Sequence, residues 1–239
     1  MINFVDLWVY LSGSTLLWLT VTLVAYIAAD AISAACGRHP LANPVLVSVV
    51  FISCLLVLSK TAFPSYFAGA QFIHFLLGPA TVALAVPLYR HLPEVKRMFV
   101  PMIVALIVGS VISITSAVLL AKWFGLSKLA TLALAPKSAT AAIAMGVAEQ
   151  IQGNPALTAV MVIMTGISGA IIVTPLMNAL RLKNYAARGF AAGLVSHGIG
   201  TARAFQVNPL AGTFAGIALG LNGVLTAILV PLLLPWLLG

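Results

Sequence analysis

Long runs of apolar residues, separated by short polar connections, set the pattern of the chain. A transmembrane helix needs about 20 apolar residues. Five runs reach that length, and a sixth, 45–59, is shorter. The runs cover 14–35, 45–59, 68–89, 99–123, 156–180 and 209–237. The pattern predicts an all-α polytopic membrane protein with about six to eight membrane segments, preceded by a short interfacial helix at 4–11.

Two further stretches, 128–146 and 189–205, are apolar but interrupted. Proline and glycine loosen a helix, and the backbone groups that they free within a membrane need protein or water as partners. We therefore expect both stretches to be broken or re-entrant, and we expect a weaker interruption within 68–89. The expected backbone breaks are at Gly78, Pro79, Pro136, Gly198 and Gly200.

The composition supports the membrane assignment. Hydrophobic residues make up 62% of the chain and charged residues 7%, whereas soluble proteins carry roughly 25% charged residues. The net charge of +8 comes from twelve basic and four acidic residues. Most basic residues flank the apolar runs, as is usual in membrane proteins, so the charge indicates a lipid bilayer rather than a nucleic acid as the partner. The exceptions are Lys137 and Arg203.

The basic residues also bear on topology. The segments 90–97 and 181–188 each carry three or more basic residues, and such segments face the cytoplasm. An even number of crossings must then separate them. The runs 99–123 and 156–180 supply two, which favours a re-entrant 128–146. The alternative is a broken helix that crosses fully, and the charge rule would then fail at one basic segment.

A repeat is a further expectation. Leu84-Ala-Val-Pro-Leu-Tyr89 resembles Ile172-Val-Thr-Pro-Leu-Met177, and each precedes a basic segment and, later, an interrupted stretch. Paired broken segments in two inverted halves mark the substrate site of many secondary transporters. The alternative is a chance similarity in an apolar chain. We expect one integral membrane domain over 1–239.

Lys137 is the first candidate for chemistry. A lysine within a membrane costs about 3 kcal/mol, and here Pro136 precedes it while Ser138 and Thr140 follow with hydroxyl groups. The functional interpretation is a cationic site for an anion, assisted by backbone N–H groups at a helix start. The alternative is a lysine near an interface whose side chain extends to water.

Arg203 is the second candidate. It follows the glycines of 189–205, and arginine binds carboxylates in a bidentate manner. Ser196 and Thr201 would add hydrogen bonds. The alternative is a flanking charge before the turn 206–209.

His197 and Asn222 complete the set of candidate binding residues. His197 could carry a proton, because its unperturbed pKa lies near 6.5, or it could be a satisfied side chain in a helix bundle. Asn222 lies mid-span between glycines, and it could bind substrate or bond across helices. Zinc spacing, nucleophile motifs and nucleotide-binding glycine patterns are not found in the sequence. We therefore expect no enzyme activity, no metal and no cofactor.

Several motifs together resemble the LrgB/CidB family over nearly the whole chain. They are the run 75–89 (Phe-Leu-Leu-Gly-Pro-Ala-Thr-Val-Ala-Leu-Ala-Val-Pro-Leu-Tyr), Asn43-Pro44, Pro136-Lys-Ser138 and Ser196-His-Gly-Ile-Gly-Thr-Ala-Arg203. The family usually reads Pro-Lys-Ser-Val-Thr-Thr-Pro where this chain has Pro136-Lys-Ser-Ala-Thr-Ala-Ala142. One hydroxyl and one proline are therefore missing, which leaves the substrate open.

The resemblance implies two functions. The family includes antiholin-like regulators of murein hydrolases, and it resembles the C-terminal half of the plastid glycolate/glycerate translocator. Some bacterial members act with a small LrgA/CidA-like membrane protein and are linked to pyruvate uptake. We therefore expect a transporter or facilitator of small monocarboxylates in the bacterial cytoplasmic membrane, as a homo-oligomer or with such a partner. The alternative is a non-transporting, antiholin-like regulator of cell lysis.

Overall fold

The computed structural model describes residues 14–76, 79, 82–83 and 85–238, and these residues form helices and short connections without a strand. The expected interfacial helix at 4–11, the break at Gly78 and Leu84 of the repeat motif lie outside the described residues. The helices are α1 (Thr15–Ala35), α2 (Pro44–Leu58), α3 (Phe63–Phe75), α4 (Ala85–Arg90), α5 (Leu92–Arg97), α6 (Phe99–Trp123), α7 (Lys128–Leu134), α8 (Ala141–Gln150), α9 (Pro155–Ala179), α10 (Tyr185–Val207) and α11 (Pro209–Leu238).

Four of the described helices, α1, α6, α9 and α11, are long and apolar enough to cross a membrane. At 1.5 Å per residue, the 25 residues of α6 span about 37 Å. Apolar side chains are exposed along all four helices, as lipid-facing surfaces require. The prediction of an all-α polytopic membrane protein is confirmed.

The run 68–89 is interrupted, as expected, since α3 ends at Phe75 and a further helix covers Ala85–Arg90. The predicted start at 68 was wrong, because α3 begins at Phe63. The basic segment 90–97 is helical over most of its length, since α5 covers Leu92–Arg97. The chain divides into two compact units, 1–85 and 86–239.

In the first unit, α1 packs against both α2 and α3. Trp18 of α1 is fully buried and meets the ring of Tyr66 edge-on at 5.8 Å. The hydroxyl of Thr22 donates to the Tyr66 hydroxyl over 3.2 Å. Asn43 caps α2 by accepting from the backbone N–H of Val45 and Leu46, so the polar residue before the proline starts a helix.

In the second unit, α6 and α11 cross in the same direction. Their first turns meet at one end, where Met98 and Leu210 pack on a shared apolar cluster. At the other end, the Lys122 ammonium of α6 donates to the carbonyl of Leu237 over 2.8 Å. Because segments 90–97 and 181–188 flank the first end, we name it the basic end. The opposite end, at Lys122, is the far end.

The segment α7–α8 is a helical hairpin that enters from the far end and returns to it. Its two helices have 7 and 10 residues, too few to cross a membrane. A Cβ atom on Gly153, beyond α8, would lie 3.4 Å from the Cβ of Leu132 in α7. The chain therefore comes back beside its own entry point. We name residues 128–150 hairpin A, and its tip is the non-helical stretch 135–140.

Helix α10 is a second hairpin, entering from the basic end. The backbone leaves helical geometry at Ser196 and His197, where His197 has φ 41° and ψ −135°. A Cβ on Gly200 would lie 2.7 Å from the carbonyl oxygen of Ala192, although a straight helix separates residues eight apart by about 12 Å. The halves 185–195 and 198–207 therefore run antiparallel. We name residues 185–207 hairpin B.

The two hairpins give the second unit an inverted arrangement. Helix α6 runs to the far end and is followed by hairpin A there, and α9 runs back to the basic end and is followed by hairpin B. Only α6 and α9 cross between the two basic segments, so the predicted re-entrant segment places both segments at one end. Residues 172–177 lie near the end of α9, and 85–89 lie in α4, so the expected repeat between the motifs at 84–89 and 172–177 stays a prediction.

Candidate functional site

The tips of the two hairpins meet near the middle of the second unit, and Asn222 of α11 joins them. Its amide nitrogen donates to the carbonyl of Ser138 in hairpin A over 3.1 Å and to the carbonyl of Leu194 in hairpin B over 3.0 Å. In a continuous helix, the Leu194 carbonyl would accept from the N–H of Gly198. Asn222 therefore satisfies a carbonyl that the interruption has freed.

The other side of the Asn222 amide is also occupied. Its oxygen accepts from the hydroxyl of Ser110 in α6 over 2.6 Å and, at 3.4 Å, from that of Thr226. Asn222 is 1% exposed. Because both ends of the amide have partners, the side chain acts in this structure as a tie between α6, α11 and both hairpins.

Lys137 lies at the tip of hairpin A and is half-buried. Its ammonium donates to the hydroxyls of Ser113 and Ser138 at 3.4 and 3.3 Å, and these two hydroxyls lie 2.9 Å apart. No carboxylate of the described residues forms an ion pair with it. A cation with hydroxyl partners alone retains its attraction for an anion.

Two cavities meet at Lys137. The first, of about 440 Å³, lies between α9 and the first half of hairpin B and carries the hydroxyls of Thr165, Ser168 and Ser196. The second, of about 540 Å³, lies between α6 and the same half and carries Ser113 and Ser116. Lys137 is the one charged side chain among the described residues that line either cavity.

Both cavities extend towards the basic end. The second cavity reaches Met98 at the start of α6, and the first reaches Met177 near the end of α9. Towards the far end, a buried apolar cluster packs between the helices. Its buried members are Ile114, Val118, Leu132, Ala135, Val147, Val230 and Leu234. Lys137 is therefore approached from the basic end in this conformation.

Arg203 lies apart from Lys137. It is 8% exposed and lines a separate cavity of about 20 Å³ with Thr174 and Arg188, near the basic end. Its guanidinium donates to the amide oxygen of Gln206 over 3.3 Å. The structure does not place the two predicted cations in one cavity, and a role of Arg203 in binding substrate stays a prediction.

His197 has a defined structural partner. Its Nε2 lies 2.8 Å from the carbonyl oxygen of Val162 in α9, so this nitrogen carries the proton that it donates. The ring packs where a side chain on Gly166 would lie. The backbone carbonyl of His197 accepts from the hydroxyl of Thr201 over 2.8 Å. Both groups stabilise the turn of hairpin B, and neither lines the cavities at Lys137.

The remaining predicted positions divide between the two tips. Pro136 and Thr140 lie in the non-helical tip of hairpin A, where Thr140 precedes α8 without capping it through its side chain. Gly198 and Gly200 lie just beyond the interruption of hairpin B, which falls at Ser196 and His197. Pro79 is exposed.

Sequence reasoning missed the hydroxyls of α6 and α9. Ser110 and Ser113 lie three residues apart on the largely apolar α6, as do Thr165 and Ser168 on α9. Residues at this spacing share one helix face. Within a membrane span, a face that carries two hydroxyls is expected to point towards protein or a polar cavity, and this signal was present in the sequence.

Comparison with known proteins identifies the family. The model of the LrgB-like family matches residues 22–236. Similar proteins include YwbG of Bacillus subtilis, 38% identical over 80% of this chain and 85% of the relative. They also include the holin-like protein CidB of Staphylococcus epidermidis, 30% identical over 82% and 86%, and the antiholin-like protein LrgB of Bacillus mycoides, 30% identical over 81% and 84%.

No solved structure matches the chain. The match to the family model covers most of the two units, including both hairpins and the tie at Asn222. The chain belongs to the LrgB-like family of membrane proteins.

Proposed function

We propose that the chain binds a small monocarboxylate at Lys137 and carries it across the bacterial cytoplasmic membrane as a secondary transporter or facilitator. The observation that supports this most is the meeting of two interrupted hairpins at a half-buried cation that no described carboxylate pairs with. Inverted, broken segments with a site between them are the architecture of secondary transporters.

The backbone adds to the attraction for an anion. Helix α8 starts at the tip of hairpin A, and the second half of hairpin B starts at the other tip. A helix N-terminus carries about half a positive charge. The start of α8 lies at the same tip as Lys137, so this helix end and the ammonium together favour a single negative charge, and a carboxylate fits the site better than a cation or a neutral solute.

The direction of access follows from charge. The basic end would face the cytoplasm, so the described conformation would be open inward and closed outward by the cluster around Val118 and Val230. Transport would require the reverse arrangement, in which the tips separate or move together against α6 and α9. A homo-oligomer or a small LrgA/CidA-like protein is the proposed partner.

A second candidate is regulation of murein hydrolases without transport. The names of the relatives favour it, since those proteins are described as holin-like or antiholin-like, and none of these names mentions a transported substrate. In this function the hairpins would serve assembly with a partner, and Lys137 would have no ligand.

Uptake of labelled pyruvate and glycolate into proteoliposomes separates the two candidates. The chain would be reconstituted alone and with an LrgA-like protein. Saturable uptake in either preparation supports transport. Absence of uptake for every short carboxylate in both preparations, together with a lysis phenotype that the intact chain restores to a deletion strain, would leave regulation as the function.

A further inference from the structure

The cavities that meet at Lys137 are much larger than a two- or three-carbon acid needs. A water molecule occupies about 30 Å³ of the liquid, and pyruvate, with six heavy atoms, fills roughly three such volumes. The cavities measure about 440 and 540 Å³. A short acid bound at Lys137 would leave most of this space without a ligand.

The lining of both cavities is mostly apolar, with hydroxyl groups from α6, α9 and hairpin B among apolar side chains. The large side chains that line them and are at least half-buried include Met161, Val173 and Met177 in the first, and Met102, Phe190 and Phe214 in the second. The hydroxyls of Ser113 and Ser138 lie within hydrogen-bond distance of the ammonium. One pole of the site is therefore cationic and hydrogen-bonding, and the remainder suits hydrocarbon.

We propose that the preferred substrate is a monocarboxylate with an apolar chain, such as a branched or unbranched 2-oxo acid of four to six carbons. The carboxylate would lie at Lys137, and the chain would extend into one cavity beside the first half of hairpin B. This inference rests on the proposed function and narrows its substrate class.

Chain length has a predictable effect. Each methylene group transferred from water to an apolar site raises affinity about fourfold. Across 2-oxobutanoate, 2-oxopentanoate and 2-oxohexanoate, the constant for inhibition of labelled pyruvate uptake should fall about fourfold per added carbon. The 2-oxo acids keep the head group constant, so the series varies the chain alone. The corresponding neutral amides, which lack the charge for Lys137, should inhibit at least tenfold more weakly.

Ala191 offers a matched variant. It is half-buried and lines both cavities, as Lys137 and Val195 do. Ala191→Phe would fill the space beside the chain without removing a polar group. We expect the variant to lose the gain from added methylenes, so that its inhibition constants for the three 2-oxo acids become equal. If the variant does not fold, the inhibition series on the unaltered protein still decides.

The outcomes separate this inference from the proposed function. Uptake of labelled pyruvate and of labelled 4-methyl-2-oxopentanoate, with an inhibition constant that falls about fourfold per added carbon, supports the proposed function and the chain preference. Uptake of pyruvate with a flat or reversed series overturns the chain preference alone. Equal inhibition by acids and amides shows a cleft that faces lipid and overturns it as well. Uptake of neither labelled acid removes the proposed function and this inference together.

Discussion

Replacing Asn222 by alanine should weaken the second unit more than any single exposed polar substitution. The change removes two donated bonds, to the carbonyls of Ser138 and Leu194, and two accepted ones, from the hydroxyls of Ser110 and Thr226. A buried polar group that loses its partner costs about 1–3 kcal/mol, whereas hydrogen bonds between membrane helices average about 0.6 kcal/mol. Four affected groups therefore place the expected loss at roughly 2–4 kcal/mol.

The assay is reversible unfolding of the purified protein in mixed micelles, followed by circular dichroism. Thr115→Ala is the control, because the Thr115 hydroxyl bonds only to carbonyls of its own helix, and the change should cost less than about 0.5 kcal/mol. A double-mutant cycle with Ser110→Ala should show a coupling of about 0.6–1.7 kcal/mol. An Asn222→Ala protein as stable as the Thr115→Ala protein would refute the tie.

Three further predictions follow from the hairpins. Gly193→Ala should prevent hairpin B from packing and lower the yield of folded protein, because its Cβ would overlap the carbonyl oxygen of Ala215 in α11. The control Gly198→Ala, with open space around it, should fold normally. Gel filtration measures both yields. His197→Gln should leave the response of uptake to a pH gradient unchanged, since His197 bonds a backbone carbonyl, and a lost response would restore its proton role. In a cysteine-free background, an impermeant maleimide should label Lys183→Cys from one side of the membrane and Lys128→Cys from the other. Labelling of both positions from the same side would exclude the re-entrant topology.

The sequence predicts the long helices well. Because α6 and α9 are largely apolar and lie between polar connections, their predicted bounds match the structure within one residue. The break at Pro136 is also predictable, since proline cannot continue the hydrogen bonding of a helix. The charge distribution predicted the re-entrant hairpin A, because only an even number of crossings puts both basic segments at one end.

The interruption of hairpin B depends on distant contacts. The glycines indicated a break at Gly198 and Gly200, but the turn falls at Ser196 and His197. Partners from other helices stabilise this turn. The His197 ring donates to the Val162 carbonyl, and the Asn222 amide donates to the Leu194 carbonyl. Such contacts join residues about 30 positions apart, and local sequence patterns do not contain them.

The separation of the two cations has the same origin. Lys137 and Arg203 both sit beside loosened backbone in the sequence, which made them similar candidates. In the fold, hairpin A presents its tip at mid-depth, whereas the second half of hairpin B returns to the basic end before Arg203 is reached. The hairpin geometry, rather than the residue type, therefore decides which cation lines the large cavities.

The most direct test of the account is carboxylate uptake by a charge series at Lys137. Proteoliposomes containing the unaltered chain, Lys137→Ala, Lys137→Arg and the exposed control Lys128→Ala would be compared at equal amounts of folded protein. The account predicts saturable uptake that Lys128→Ala retains, that Lys137→Ala reduces at least tenfold, and that Lys137→Arg retains in part. Saturable uptake that is unchanged in Lys137→Ala would contradict it.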